Sequence, residues 1–489
     1  MSYLGIDIGT SAVKLCVMDA DGAVVKTAQA GLSSSHPFEG ASEQSPDQWW
    51  QALVTAASDL PADVRAAIRA IGLSGQMHGA VLLDEGLAPI RPAILWNDGR
   101  SAPQCAAMTL AEPQVGHLSG VPPMPGFTAP KLLWLSEHEP QTHARIAHVI
   151  LPKDYIGLRL HGQLATDPSD AAGTSWLDEA ARTWSPRLCE ISATDPAWLP
   201  DLRDGPAVAG HLTPQAAQAL GLLPGLPVAT GAGDGAAGAV GIGAVAAGDG
   251  FLSLGTSGQL FVTTDSYRPN PDSMIHAYAH TLPGLWFQMA AMLNGARPMA
   301  WLAGLLNRPI ADLLAEAETA AEGPLFLPYL TGERTPHGDA DIRAGFWGLG
   351  EATTHGALMR AVVEATAFSF ADASDAMRAA GTTPDHLLAI GGGTRSDFLL
   401  QMIADVIGVP IGRSDGAEVG PALGAARLAR IAAGDGSIAE VCTKPQVARW
   451  FTPDATRADT LAPRLAGYRA LYPALKSVSQ AIAASACRA

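Results

Sequence analysis

Alternating apolar and polar residues open the chain and predict its first strands. Apolar side chains alternate through residues 3–8 and 13–18, and the turn residues DADG at 19–22 precede a third run of the same kind. A period of two is typical of strands that bury one face, and polar turns between such runs favour antiparallel pairing. The pattern predicts a three-stranded antiparallel meander whose first turn holds Gly9-Thr10-Ser11.

A second stretch with the same pattern lies past the middle of the chain. The sequence GFLSLGTSGQLFVTTD at 250–265 has an apolar strand pattern, the triplet Gly255-Thr256-Ser257 and another strand pattern. When Gly9 is set on Gly255, the two segments align at about half the chain length, which indicates an internal duplication.

Helical patterns follow each meander and predict two α/β domains. Residues 45–60 read as a helix with Ser45 as N-cap and Pro46 in its first turn, and residues 71–79 read as a strand and loop. In the second half, residues 386–411 read as strand, glycine-rich turn, helix and strand, and residues 419–434 as a helix of small residues. We therefore expect one domain over 1–244 and a second over 245–489, with a cleft between them.

Composition narrows the classes of protein that fit. The chain has 489 residues and a formal net charge of −16, which disfavours binding to nucleic acid or to anionic membranes. Its five cysteines are scattered, with Cys487 near the end, and form no C-x-x-C, as expected of reduced thiols in a cytoplasmic protein. The N-terminal segment lacks the pattern of a secretory signal, and no apolar run reads as a membrane span.

Three glycine-containing turns have the composition of anion-binding loops. They are Gly9-Thr10-Ser11, Gly255-Thr256-Ser257 and Gly391-Gly392-Gly393, each after a strand pattern. Glycine lets backbone N–H groups approach a phosphate closely, and threonine and serine add hydroxyl donors. The chain has no G-x-x-x-x-G-K-[ST] motif and no protein-kinase motifs. The turns predict a polyphosphate held between the two domains.

The segment VATGAGDGAAGAV at 228–240 permits two interpretations. Gly231, Gly233 and Ala236 match the spacing of a dinucleotide-binding turn, which would indicate an oxidoreductase. However, Asp249 precedes its strand instead of ending it, and the matched phosphate-type turns lie elsewhere. The alternative centres on Asp234, an acid at the start of a helix of small residues, where it serves as a proton acceptor or only as a helix cap.

Asp7 is a carboxylate within the first apolar strand, next to the first glycine turn. A buried carboxylate is costly unless it is paired or near a metal. Its position favours a role on Mg²⁺, through water because this ion keeps much of its hydration shell. The alternative is a carboxylate bonded to backbone amides.

Together these motifs resemble the FGGY family of carbohydrate kinases, within the superfamily of sugar kinases, actin and heat-shock-protein ATPases. The similarity runs essentially from end to end. GIDIGTSAVK and GFLSLGTSG are similar to the two phosphate motifs of the family, residues 387–411 to its adenosine motif, and residues 126–139 and 345–372 to two family signatures. The resemblance implies an α/β fold of two ribonuclease H-like domains, of the actin and hexokinase type, with an interdomain cleft.

The resemblance also implies roles for individual residues. Asp234 corresponds to the catalytic base, and Asp7 to the acid on the Mg²⁺ side. The positions where the family binds ATP are Thr10, Gly255, Thr256, Gly392, Gly393 and Ser396. The expected sugar-binding residues are Met77 and His78, joined in the same pocket by Trp96, Asn97 and Asp98.

Within the family, residues 72–84, 93–101 and 166–178 are most similar to members that act on D-xylulose. Glycerol kinases carry Arg-Glu where this chain has Met77-His78. The resemblance implies phosphorylation of D-xylulose at its 5-hydroxyl by ATP and Mg²⁺, and a homodimer. A kinase for ribulose or arabinitol stays an alternative, as does a non-enzymatic actin-like nucleotide switch, although the presence of Asp234 argues against a switch.

Overall fold

Two seven-stranded mixed sheets organise the protein, which is represented by a computed structural model describing residues 1–414 and 420–486. The first sheet has its meander at one edge and parallel strands beside it. From that edge its strands are Val24–Gly31, Ala12–Asp19, Ser2–Ile8, Ile68–Gly75, Pro227–Ala229 and Val208–His211, with Ala232–Gly233 also paired to Ile68–Gly75.

The second sheet has the same order with one additional strand, His276–Ala279, at its meander edge. Its strands are His276–Ala279, Trp286–Met292, Gly258–Thr264, Asp249–Leu254, His386–Ile390, Ile411–Ser414 and Val447–Phe451. In both sheets the first meander strand lies between the second meander strand, to which it is antiparallel, and a later strand, to which it is parallel. Beyond that later strand, each sheet continues with one more parallel strand and then with an antiparallel strand. The duplication predicted from Gly9 and Gly255 is therefore present in the topology.

Helices cover the sheets and connect their strands. The α-helices are Pro46–Ser58, Ala62–Ala66, Ala102–Ala111, Val115–Leu118, Thr128–His138, Pro140–His143, Pro152–His161, Pro168–Ala172, Pro186–Glu190, Pro214–Leu220, Asp234–Ile242, Arg297–Leu305, Ile310–Thr319, His355–Ala379, Asp397–Ile407, Gly420–Ala432, Ile438–Val441 and Ala455–Ala486. Short 3₁₀ helices span Pro196–Trp198, Pro271–Ser273 and Gly392–Arg395.

Five pairs of short strands complete the structure: Glu43–Gln44 with Ala93–Ile94, Val81–Leu83 with His148–Ile150, Ala165–Thr166 with Asp201–Leu202, Leu177–Asp178 with Thr183–Trp184, and Leu325–Leu327 with Gly345–Trp347. Each large sheet has its own core. Leu53 and Ile6 belong to the core of the first sheet, and Leu252 and Phe368 to that of the second. Phe251, one residue before Leu252, points to the opposite face and packs with residues of Asp234–Ile242.

Two helices join the sheets, and we call Asp234–Ile242 the first connecting helix and Gly420–Ala432 the second connecting helix. The second connecting helix belongs to the second half of the sequence but lies flat on the first sheet. A Cβ on Gly72 would stand 1.9 Å from the carbonyl oxygen of Ala425, and one on Gly424 would stand 1.8 Å from that of Ala237. Glycine at these positions allows the backbones to approach this closely.

The predicted elements are confirmed where the structure describes them. The meanders, the helix Asp397–Ile407 and the helix that begins at Asp234 all form. Ser45 occupies the N-cap position of Pro46–Ser58, but its side chain accepts no cap hydrogen bond. Cys16, Cys105, Cys189 and Cys442 are free thiols, and Cys487 lies outside the described residues. Among residues 1–414 and 420–486, no helix is long and apolar enough to cross a membrane.

Candidate active site

The predicted glycine turns lie at the ends of neighbouring strands. Residues 9–11 connect Ser2–Ile8 to Ala12–Asp19, and residues 255–257 connect the corresponding strands of the second sheet. Gly391 follows the strand parallel to Asp249–Leu254, and a Cβ on Gly391 or Gly393 would stand about 3 Å from backbone or side-chain atoms of Leu254. The second and third turns are thus brought together at one edge of the second sheet.

Asp7 and Asp234 come together at the corresponding edge of the first sheet. Asp7 pairs with Ser74 on the parallel neighbouring strand, and Ser74 pairs in turn with Ala232. Asp234 follows two residues later as the first residue of the first connecting helix. Three adjacent strands therefore place the two carboxyl groups within electrostatic reach of each other.

The Asp234 carboxyl is reached by solvent from the cleft, while protein atoms crowd its other sides. This partial loss of hydration, together with the negative charge of Asp7, raises the pKa of Asp234 to about 7. The backbone N–H of Gly235 donates to Asp234 Oδ1 at 2.7 Å and opposes that rise. A carboxyl group with such a pKa accepts a proton readily near neutral pH.

Asp7 is 7% exposed, and burial raises its pKa. Two influences oppose that rise. One is Lys14, which pairs with Asp7 across the first hairpin and whose side chain is exposed, and the other is the side chain of Ser74. Lys14 forms no ion pair within the described part of the chain.

Thr10 belongs to a polar network that joins the first turn to the sugar-side residues. Its hydroxyl donates to Gln76 Oε1 at 2.9 Å and accepts from Trp96 Nε1 at 2.9 Å. Gln44 donates to the Thr10 carbonyl at 2.7 Å and receives a hydrogen bond from Gln76 Nε2. The Thr10 hydroxyl proton is therefore engaged within the protein, and Gly9 N–H donates to the Ala12 carbonyl at 3.1 Å. The donors that the turn still offers are the backbone N–H groups of Thr10 and Ser11 and the exposed Ser11 hydroxyl.

Met77 and His78 follow directly on the strand that carries Ser74. Met77 is buried, and its side chain lies against Gly233, the residue before Asp234. His78 has a φ of 71°, an uncommon conformation for a residue with a side chain. Its carbonyl accepts from Lys131 Nζ at 2.8 Å and from Thr128 Oγ1 at 3.1 Å, which holds this conformation.

The His78 ring is held as a neutral imidazole. It stacks on Phe127 with the ring centroids 4.5 Å apart, and its Nδ1 lies 2.6 Å from the carbonyl oxygen of Gly173. Burial lowers the pKa of His78 to about 3, so the ring is uncharged at neutral pH. A carbonyl partner makes Nδ1 the donor, which leaves Nε2 as an acceptor for a hydroxyl group.

A cavity of about 320 Å³ lies beside His78. Trp96, Phe127 and the half-buried Arg334 line it, with Glu333 at its wall. The Glu333 carboxylate accepts hydrogen bonds from Leu293 N, Arg334 N and Asn294 Nδ2. The Arg334 guanidinium has no hydrogen-bond acceptor or ion-pair partner among the described residues. The cavity thus offers an acceptor on His78 and a charged donor on Arg334.

A second cavity of about 310 Å³ lies between the connecting helices and the second sheet. Asp234 lines it together with Ser253, Gln259 and Ile390. Ser253 and Gln259 pair with each other one position away from the strand ends that flank the second glycine turn, and Ile390 directly precedes the third turn. Asp234 therefore borders the space next to the predicted phosphate loops.

Other predicted residues are placed differently. Asn97 is exposed and does not line the cavity beside His78. Asp98 is buried, and its two oxygens accept from Ser42 N and from the backbone and guanidinium of Arg100, which lowers the pKa of Asp98 despite its burial. The structure thus does not bring Asp98 to the cavity, and its observed contacts are structural.

The predicted ATP-side residues in the second half lie on the surface of the two adjacent turns. Thr256 and Gly392 are exposed, and Gly255 and Gly393 are half-buried. Ser396 serves as N-cap of Asp397–Ile407, where its hydroxyl oxygen accepts from Leu399 N at 3.2 Å.

Several residues of the site were missed by sequence reasoning. One signal could have found Lys14: it is a charged residue within an apolar strand pattern, at the position that pairs with Asp7. Arg334 carried no local signal, because it reaches the site from a part of the chain distant in sequence. Gln76 directly precedes the predicted Met77 and His78 and could have been found from that position. Among residues 1–414 and 420–486, no group of three His, Cys, Asp or Glu side chains is arranged to hold a metal. His276 and His280 have the i, i+4 spacing of a zinc pair in the sequence, but no third such side chain of the described residues joins them.

Comparisons with known proteins identify the family of the chain. Residues 2–241 match the N-terminal domain of the FGGY family of carbohydrate kinases, and residues 250–433 match its C-terminal domain. The xylulose kinase of Escherichia coli strain K12 is 43% identical over 480 residues, covering 97% of this chain and 99% of that protein.

Solved structures show the same architecture. A kinase from Brucella ovis is similar with a TM-score of 0.94 at 42% identity, covering 98% of this chain and 100% of the other. The ligand-bound xylulose kinase of Lactobacillus acidophilus is similar with a TM-score of 0.93 at 27% identity, covering 98% of this chain and 99% of the other. The predicted fold class and family resemblance are confirmed: the chain is an ATP-dependent sugar kinase and belongs to the FGGY family of carbohydrate kinases.

Proposed function

We propose that the protein transfers the γ-phosphoryl group of ATP to the 5-hydroxyl of D-xylulose, with Asp234 as the proton acceptor. The observation that carries this proposal is the Asp234 carboxyl at the start of the first connecting helix, with a pKa raised to about 7. A carboxylate in equilibrium with its acid near neutral pH accepts the hydroxyl proton as the oxygen attacks phosphorus. The other product, ADP, leaves from the side of the second sheet.

The choice of a pentulose as substrate rests on the cavity and on the relatives. The Escherichia coli relative and the Lactobacillus acidophilus structure are both named as xylulose kinases. His78 Nε2 accepts a sugar hydroxyl, and the free guanidinium of Arg334 donates to a carbonyl or hydroxyl oxygen. Phe127 and Trp96 give the cavity apolar walls for the carbon chain.

The triphosphate is proposed to lie across the glycine turns of both sheets. Backbone N–H groups of residues 10–11 and 255–257 and the exposed Lys14 ammonium supply donors and positive charge. Phosphoryl transfer depends mainly on positioning and on neutralising charge, and these groups do both. Gly392, Gly393 and Ser396 border the nucleotide beyond the phosphates.

Mg²⁺ fits the site through Asp7. The carboxyl of Asp7 is buried, its pKa is raised, and its cationic neighbour across the hairpin is a single lysine, so a cation bound nearby would relieve the cost of its charge. One protein carboxylate with water and phosphate oxygens is a common Mg²⁺ coordination. When bound, the ion neutralises charge that develops on the transferring phosphoryl group.

A panel of substrates tests the proposal. ADP release is measured with D-xylulose, D-ribulose, L-ribulose, xylitol and arabinitol at equal concentrations. We expect kcat/KM to be highest for D-xylulose, with the phosphate on O5 in the product. A higher kcat/KM for a ribulose or a pentitol would assign the protein to that substrate instead. ATP turnover that does not depend on any added sugar would contradict a sugar kinase mechanism.

Three further expectations stay proposals. We infer that the two domains divide near residue 244, that they close over the substrates to exclude water, and that the active protein is a cytoplasmic homodimer. Closure of the two domains is supported by the close, glycine-containing contact between the first and the second connecting helix, where Gly424 lies against Ala237.

A further inference from the structure

A cluster of buried charged residues lies behind Asp234 and has no part in the proposed chemistry. Lys153 is fully buried, and its Nζ lies 2.5 Å from Asp154 Oδ1, 3.1 Å from Asp167 Oδ1 and 3.3 Å from Asp170 Oδ2. All three carboxyl groups are buried as well. Desolvating one cation and three acids is costly, so the cluster calls for an explanation beyond stability.

The charges of this cluster are partly neutralised by protonation. Burial, opposed by Lys153 and reinforced by Asp154 and Asp167, raises the pKa of Asp170 well above its usual value. The surrounding acids raise the pKa of Lys153 against the effect of burial, so it stays charged. The Lys153 ammonium group therefore stands 3.1 Å from Asp167 Oδ1.

Asp167 is connected to the backbone before Asp234 through Ser169. The hydroxyl of Ser169 donates to Asp167 Oδ2 at 2.5 Å, and the N–H of Ser169 donates to the same oxygen at 2.9 Å. With its proton directed to Asp167, the Ser169 oxygen accepts a hydrogen bond from the backbone N–H of Gly233 at 3.2 Å. Lys153, Asp167, Ser169 and Gly233 thus form one continuous chain of contacts.

Gly233 is the point at which this chain of contacts fixes the position of Asp234. It is the N-cap residue of the first connecting helix and, as glycine, has no side chain with which to cap that end. A Cβ on Gly233 would stand 3.0 Å from Met77 and 3.4 Å from the Cα of Asp170. The backbone here is confined between the sugar-side Met77 and the segment that carries Ser169.

We propose that Ser169, oriented by Asp167 and Lys153, is a positioning residue for the proton acceptor Asp234. This inference rests on the proposed role of Asp234 and extends it to residues that touch neither substrate. The hydrogen bond from Gly233 N fixes the start of the helix, and the Asp234 carboxyl takes its place in the cleft from there. Misplacement of a reacting group by about 1 Å costs on the order of a hundredfold in rate.

The test compares Ser169→Ala with Ser175→Ala, a matched control. Ser175 lies in the same segment and is equally buried, but its hydroxyl has no hydrogen-bond partner among the described residues. We expect Ser169→Ala to lower kcat by about 10- to 100-fold with little change in the KM for sugar or ATP. Ser175→Ala should retain the kcat of the unmodified protein. A Ser169→Ala kcat within twofold of that value would overturn the proposal.

A double-mutant cycle separates positioning from a general loss of structure. In the Asp234→Ala background, Ser169→Ala should cause no further loss, because its effect passes through Asp234. A full additional loss in that background would also overturn the proposal. If Ser169→Ala does not fold, Ser169→Cys serves instead. Because a thiol accepts the hydrogen bond from Gly233 N only weakly, Ser169→Cys should have a lower kcat than the unmodified protein.

The same variants distinguish this inference from the proposed function. If Asp234→Ala retains normal turnover, Asp234 is not the proton acceptor and the role of Ser169 falls with it. If Asp234→Ala is inactive while Ser169→Ala is normal, only the positioning role of Ser169 is lost.

Discussion

Asp7 and Asp234 lie on opposite sides of Ser74 where strands of the first sheet end, and the charge of Asp7 is one cause of the raised pKa of Asp234. Desolvation is the larger cause. Asp7, which is proposed to hold Mg²⁺, therefore also contributes to the proton affinity of Asp234, the proposed base.

The pH dependence of activity follows from this pair. The carboxylate form of Asp234 is the proton acceptor, so kcat/KM should rise with pH through a single ionisation near pH 7. His78 should contribute no ionisation between pH 5 and 8, because its pKa is lowered to about 3. Asp7→Asn should move the midpoint of the rise to lower pH, besides lowering the rate. A midpoint that is unchanged in Asp7→Asn would show that the two carboxyl groups do not interact.

The folding stability of the protein should also depend on the raised pKa of Asp234. Stability should fall as pH rises, whereas kcat/KM should rise. Because the folded-state pKa of Asp234 lies above the ordinary 3.8, folded protein binds the proton more tightly, and stability is lost as pH rises from about 4 to 7. Asp234→Asn removes this loss, so it should be more stable than the unmodified protein at pH 8 and no more stable at pH 4. Thermal melting at both pH values measures this. If the Tm of Asp234→Asn differs from that of the unmodified protein by the same amount at pH 4 and at pH 8, the raised pKa of Asp234 is not the cause of the difference.

His78 should determine sugar binding and leave nucleotide binding unaffected. We expect His78→Asn to raise the KM for the sugar about tenfold or more, because asparagine tolerates the φ of 71° but places no acceptor where Nε2 lies. The KM for ATP should stay within twofold. Initial rates with each substrate varied in turn provide both values, and a selective rise in the ATP KM would place His78 outside the sugar site.

Arg334 should contribute to the same cavity. A charged hydrogen bond to an uncharged ligand is worth about 1.5–3 kcal/mol, so Arg334→Gln should raise the sugar KM roughly 10- to 100-fold. Binding of the sugar is measured directly by calorimetry without ATP. Unchanged sugar affinity would show that the guanidinium points away from the substrate.

The contact between the second connecting helix and the first sheet is predicted to be intolerant of side chains. Gly72→Ala would place Cβ 1.9 Å from the Ala425 carbonyl oxygen, and forcing extra volume into such a contact costs about 1–3 kcal/mol or more of unfolding free energy. Gly31→Ala is the control, since Gly31 also lies in a strand of this sheet but a Cβ there would meet no described atom within 4 Å. Urea unfolding of both variants should separate them, and equal midpoints would contradict the close approach.

Much of the fold and part of the site were predictable from the sequence. The period-two runs, the two Gly-Thr-Ser turns and the helix start at Asp234 are local patterns, and the structure has all of them. The neutral state of His78, the free guanidinium of Arg334 and the contacts of Ser169 depend on residues far apart in sequence, which no local pattern reveals. The pairing of Asp98 with Arg100, which donates to both carboxylate oxygens, was likewise not predicted, and the role of Asp98 in sugar binding stays a prediction.

The central claim is that Asp234 accepts the proton of the sugar hydroxyl during phosphoryl transfer. The most direct test is the rate of ADP formation from ATP, Mg²⁺ and D-xylulose under single-turnover conditions, for the unmodified protein and for Asp234→Ala side by side. The account predicts a loss of at least about a hundredfold in the variant, with ATP binding retained. A variant that turns over at a rate close to that of the unmodified protein would contradict it.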